Sequence, residues 1–159
     1  MKKTLIIVFT LISIITHGQN MFPEKFTNCK CESFLLEGKE IVAEKQNDIL
    51  LNEILNSIDQ EILMKIRGVI YIQVRIDTNG SPCCLSMENN LNGKSKKINF
   101  KTIIDNHTNW RPPIIEDKKA NVCAILKLVF SKKKITLKRL GFNMGLGMTE
   151  LSRYVKLKR

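Results

Sequence analysis

Histidine is nearly missing from this chain: His17 and His107 are the two in 159 residues. His17 stands inside an N-terminal stretch with the composition of an export signal, so after cleavage any Cys/His or Ser/His/Asp site would have to use His107. Spaced with Phe100, Ile103 and Ile104, His107 falls at the end of an apolar helical face near a helix C-terminus, a structural position. Cys-x-x-Cys, the spacing that redox catalysis favours, does not occur. Cys29-Lys30-Cys31 and Cys83-Cys84 are spaced too closely for the thiol pairs of a zinc site. Gly145-Leu146-Gly147 follows no strand and lacks the third glycine or the lysine of a nucleotide loop. No carboxylate pair stands out for acid–base work, and Glu116-Asp117 abuts Lys118-Lys119 in what reads as a solvated turn. Each absence removes a reaction class. Together they predict a protein that is not an enzyme, with no catalytic residue, cofactor or metal.

A long hydrophobic run is also missing. Leu5 to Ile15 is too short for a membrane span, which needs about 20 residues. Preceded by Met1-Lys2-Lys3 and followed by Thr16-His17-Gly18, it has the three parts of a secretory signal. Residues 1–18 are therefore expected to be a signal peptide, the alternative being an uncleaved N-terminal anchor. The mature chain is expected outside the cytoplasm, periplasmic or secreted. The formal charge of +11 is uneven: residues 19–130 carry fifteen basic and fourteen acidic side chains, whereas residues 131–159 carry nine basic ones against Glu150. Basicity thus belongs to the C-terminal end, and it lacks the interleaved aromatics of a nucleic-acid surface. No nucleic-acid partner is expected; a weak contact of the tail with anionic surfaces is the residual role for the charge.

What is present is alternation. Ile70, Ile72, Val74 and Ile76 share one face of a run from Gly68 to Asp77, and Val122, Ala124, Leu126, Leu128 and Phe130 share one face of a second run, which reads as two strands against a core. Asn79-Gly80 supplies a hairpin turn into a short strand in which Cys83, Leu85 and Met87 would face the core and Cys84, Ser86 and Glu88 the other side. Asn99 caps a helix carrying Phe100, Ile103 and Ile104, and it stops by Pro112-Pro113. Upstream, Leu50, Leu51, Ile54, Leu55, Ile58, Ile62, Leu63 and Ile66 form a helical stripe with a break near Asn56; Ser57 and Gln60 have capping-box spacing. Trp110 reads as a packing anchor. The expected organisation is a loosely structured lead-in over 19–47 with a short helix near Ser33 to Ala43, a folded domain over 48–140, and a basic tail over 141–159.

Five cysteines in an exported chain point to pairing, with at least one left over. The disulfide candidates are Cys29, Cys31, Cys84 and Cys123. Cys84 and Cys123 would share the outer side and can bridge if their strands are neighbours; Cys83 reads as a small buried hydrophobe. The alternative from another class is a thiol-dependent redox protein or enzyme using Cys83/Cys84 or Cys29/Cys31.

The succession of Gly68-Val-Ile-Tyr-Ile-Gln-Val-Arg-Ile-Asp77, Asn79-Gly80, short strand, helix, Trp110-Arg-Pro112 and the strand ending at Phe130 resembles the C-terminal domain of TonB energy transducers, over about residues 68–131. The resemblance implies an α+β fold with a three-stranded antiparallel sheet packed against two helices. It also implies a periplasmic setting and a partner of the outer-membrane-receptor kind, bound as an extended segment along a sheet edge. The edge it selects is the last strand: Asn121, Cys123, Ile125, Lys127 and Val129. A transducer's long proline-rich spacer has no counterpart among four prolines. The expected protein is a stand-alone exported relative: a protein-interaction module of the cell envelope, for which the resemblance implies a place in TonB-dependent transport, with a protein or peptide partner and no chemistry of its own.

Overall fold

The computed structural model describes residues 20–29, 33–38, 40–93, 98–143 and 147–151. The expected signal peptide and Cys31 lie outside the described residues. In chain order the elements are β1 (Glu24–Lys25), β2 (Leu35–Leu36), α1 (Asn47–Asn56), α2 (Gln60–Lys65), β3 (Gly68–Ile76), β4 (Pro82–Leu91), α3 (Phe100–His107), β5 (Ile114–Ile115), β6 (Lys118–Lys119), β7 (Val122–Phe130), β8 (Ile135–Asn143) and β9 (Gly147–Glu150).

One seven-stranded sheet runs β1-β4-β3-β7-β8-β9, with β2 beside β7; β5 and β6 form a separate hairpin. Every pairing is antiparallel except β2 with β7. This overturns the three-stranded sheet on two helices. Of the additional strands, β1 and β2 come from the expected loose lead-in and β9 from the expected tail, while β8 starts at Ile135 to Lys138, a stretch that reads as a short last strand or the end of the long one, and runs on to Asn143. The short helix near Ser33 to Ala43 is not formed; β2 occupies that stretch.

The alternating runs do pair as expected. β3 and β7 align over their full length, from Gly68 opposite Phe130 to Ile76 opposite Val122. Their shared face packs against Leu50 and Ile54 of α1 and against Phe100, Ile103 and Ile104 of α3. Phe100 and Phe130 meet edge to face at 6.3 Å between ring centroids. Asn99 caps α3 by accepting from Thr102 N at 3.1 Å. The apolar stripe upstream does break, α1 ending at Asn56 and α2 starting at Gln60, but Asp59 is the cap, accepting from the N–H groups of Glu61 and Ile62. His107 is exposed and Thr108 takes the buried place, its hydroxyl accepting from Trp110 Nε1.

Two glycines are required by close approach. Gly68 has φ +121° and a Cβ there would stand 2.2 Å from Asn90 O; Gly80 has φ +85° and a Cβ would stand 2.2 Å from Trp110 O. Gly80 belongs to a turn tied by Asp77, whose carboxylate accepts from Asn79 N and Ser81 N.

β4 carries a bulge. Ser86 lies opposite Gln73 and Cys84 opposite Val74, so Leu85 is the extra residue. The bulge reverses the expected phase: Cys84 and Met87 join the helix-side core, while Cys83 and Leu85 turn to the other face, beside Cys29, Phe34 and Cys123.

β7 and β8 pair only from Ile125–Leu140 to Phe130–Ile135. Beyond that the two strands separate, and the chain at Leu35–Gly38 fills the fork: Glu37 N donates to Cys123 O, and Phe142 N donates to Glu37 O. The Glu37 side chain is fully buried there with Arg139 of β8, each 0% exposed. Arg139 Nε donates to Glu37 Oε2 at 2.9 Å and Nη2 donates to Oε1. Two further guanidinium hydrogens reach Ala43 O and Lys45 O at 3.1 Å each, and the guanidinium carbon lies 5.0 Å from the centre of the Trp110 ring. The lead-in is therefore part of the fold. Replacing Arg139 by Met should cost about 3–5 kcal/mol in urea unfolding, because Glu37 is left buried without its counter-charge. Replacing both residues with apolar ones should cost less than the single change; an equal or larger loss would show that the pair acts by packing alone.

Candidate functional site

The strand expected to receive a partner is in the interior of the sheet. Cys123, Ile125, Lys127 and Val129 lie on β7, which β3 covers along one side and β2 and then β8 cover along the other. Asn121 is occupied as well: its carbonyl accepts from Leu35 N, and its side chain accepts from Thr78 N and donates to Ser33 O. β7 is thus flanked on both sides and is not a sheet edge, so that expectation is corrected. Its cause is β8, which runs to Asn143 and pairs with β7, where the residues offered Ile135 to Lys138 either as a short last strand or as the end of the one before.

The cysteines sort by face. Cys29 is bridged to Cys83, with a Cα–Cα distance of 5.9 Å. Of the expected candidates Cys29 is thus paired, but with Cys83, which had been read as a buried hydrophobe. Cys84 and Cys123 do not bridge. They sit on β4 and β7 with β3 between them, and they point to opposite faces of the sheet. Cys123 is buried and receives a long contact from Gln73 Nε2 at 3.5 Å. Burial, then the charge of Asp105 and further Glu24, pushes the Cys84 thiol from 9.0 up to about 12, against a smaller opposing effect of Lys101. A thiol held that high has no thiolate at neutral pH and is a poor nucleophile. Among the described residues no group of three or more His, Cys, Asp or Glu side chains converges as a metal site would, and no helix is long and apolar enough to cross a membrane.

The two ends of the sheet order differ. At the β4 end, residues 20–29 run over the edge and outer face. Met21 N donates to Gln73 Oε1, Phe22 N to Ser86 Oγ, and Ser86 Oγ to Gln73 Oε1. β1 pairs Glu24 with Met87 and Lys25 with Ser86, and Phe26 N donates to Leu85 O. Asp105 of α3 accepts from Cys84 N at 2.6 Å. Farther along, Glu88, Asn89 and Asn90 make the edge polar, Asn90 Nδ2 donating to Glu88 Oε1.

At the other end β9 has β8 on one side, and among the described residues no strand on its other side. Leu151 N donates to Arg139 O at 2.9 Å, continuing the β8–β9 register and setting its phase. Gly147, Thr149 and Leu151 therefore direct backbone groups at β8, whereas Met148 and Glu150 direct theirs away from it. Phe142 lies directly opposite Met148, and the two are 48% and 39% exposed. Lys138 and Glu150 pair beside them at 2.7 Å. Sequence patterning missed this edge because Gly, Met and Lys over 141–159 carry no clean period.

Comparison with protein-family models, with curated proteins and with solved structures finds no match.

The Cys84 thiol generates a pH prediction. Its raised folded value means that its contribution to stability is whole below pH 9.0 and is lost as pH climbs toward about 12. A Cys84→Ala variant should therefore show a shallower alkaline fall in thermal midpoint than the parent chain. Identical alkaline limbs would place the thiol in contact with solvent.

Proposed function

We propose that the chain is an exported protein-interaction module of the cell envelope that takes an extended segment of a partner protein by strand addition along β9. The observation that carries this is the composition of the terminal strand. An exposed apolar cross-strand pair, Phe142 with Met148, stands beside outward backbone groups of Met148 and Glu150. Sheet edges are normally blunted by charge, proline or cover, because they template pairing with other chains. The β4 end is treated in that way, whereas among the described residues nothing covers the β9 end and its charge is confined to the Lys138–Glu150 pair. Backbone hydrogen bonds would supply affinity, and the Phe142–Met148 surface would select an apolar side chain on alternate positions of the partner.

Export is supported by the signal-like composition of residues 1–18 and by the Cys29–Cys83 disulfide, which suits an oxidising compartment. The strand-adding mode of TonB C-terminal domains supports an envelope partner of the outer-membrane-receptor kind. Against the thiol-dependent alternative at Cys83/Cys84 speak the bridging of Cys83 to Cys29 and the burial of Cys84 in the core; Cys31, of the other candidate pair, lies outside the described residues.

A photoreactive residue at position 148 should give a protein adduct in intact cells, and one at the more exposed position of Met64 on α2 should give none. Glu150→Pro removes an outward N–H without touching the β8 ladder, since edge strands tolerate proline. It should abolish the adduct while leaving the unfolding midpoint close to that of the parent. Adducts from both positions, or full adduct yield with Glu150→Pro, would count against strand addition at β9.

A further inference from the structure

Residues 20–29 lie on the sheet with little to hold them. Of these ten, Cys29 alone is buried; Asn20, Phe22 and Phe26 are half-buried and the other six are exposed. Phe22 rests against Tyr71 at 5.8 Å between ring centroids, and Lys101 Nζ stands 5.9 Å from the Phe26 ring. Beyond these rings the segment makes a two-residue strand, a backbone bond from Phe26 and two N–H donations into the Gln73–Ser86 pair. Fixing ten residues costs more conformational entropy than so few net hydrogen bonds return. The Cys29–Cys83 bond supplies the difference, by tethering the end of the segment to β4. What the segment covers is the opposite of loose: Gln73 and Ser86 are fully buried and Leu85 nearly so.

We infer that residues 20–29 are a redox-latched strap over the outer side of β4 at Leu85 to Met87. The latch opens by thiol–disulfide exchange with a dithiol reductant. A thiolate of the reductant attacks Sγ of Cys83, the less buried of the two residues, and the Cys29 thiolate leaves and takes a proton. The second thiol of the reductant then displaces Cys83 and closes its own disulfide. Two electrons and two protons pass to the chain in all. The strap lifts, and the edge of β4 at Ser86 and Met87 that β1 had paired is exposed. The fork at Glu37 and Arg139 is a separate anchor, so residues 35–45 and the helix-side core remain in place. This proposal stands independently of binding at β9.

Hydrogen exchange followed by mass spectrometry tests it on the full chain, oxidised and then treated with dithiothreitol, with reduction of Cys29 and Cys83 verified by peptide mapping. Reduction should abolish protection in residues 20–29, leave β3, β7 and α3 protected, and leave Cys84 unreacted with iodoacetamide. A Cys83→Ser chain should show the open pattern without reductant. Retained protection of the strap after verified reduction overturns the proposal. So does alkylation of Cys84 in step with loss of the strap, because that reports unfolding of the whole domain.

Discussion

The bidentate contact between Glu37 and Arg139 is the constraint on which the sheet depends. A carboxylate and a guanidinium are both taken out of water at the point where β7 and β8 part. Neither is tolerable there alone, since an unpaired buried charge costs far more than any single apolar contact returns. Arg139 has five N–H donors, and four have named acceptors in Glu37, Ala43 and Lys45. The path of the chain from Glu37 to Lys45 is thereby set against β8 and over Trp110. The pair does not simply stabilise; it decides which backbone fills the fork.

That choice settles which edges the molecule has. With the fork closed, β7 is enclosed along its whole length and the sheet ends at β4 and β9 instead. The two ends are unlike in chemistry. β4 is covered by a poorly buried segment and by Asp105, and its uncovered part is lined by Glu88, Asn89 and Asn90. β9 presents Met148 and Phe142 with outward backbone at alternate residues. Placing a binding role at β9 follows from this contrast, and the same contrast makes the strap on β4 look removable.

Much of the centre was legible in the residues. The alternation in β3 and β7 survives because one face of each is uniformly apolar, and Asn99, Asn79-Gly80 and the break after Asn56 are local signals with local causes. The failures are all non-local. Arg139 sits in a run of lysines and reads as solvated, because the acid that accepts it is 102 positions away. Glu37 offers no sign of burial in its own neighbourhood. β1 and β2 are two residues each, too short to carry a period. In β4 a single bulged residue shifted the phase, so the two cysteines were assigned to the wrong faces and the candidate bridge to Cys123 failed with them. The candidate edge was lost because what lies beside a strand is not written in that strand.

The bulge at Leu85 also partitions sulfur chemistry. Cys83 and Cys84 are adjacent in the chain, yet the strand between their side chains acts as an insulator, with one sulfur oxidised on the outer face and its neighbour kept as a thiol in the core. An unpaired nascent chain has no such distinction, and Cys29 meets two sulfurs at nearly equal separation. The choice between them can be made only once β3 and β4 have found the bulged register. Oxidation that outruns strand pairing would therefore yield disulfide isomers, and correct folding of this protein becomes a matter of timing between its oxidant and its hairpin.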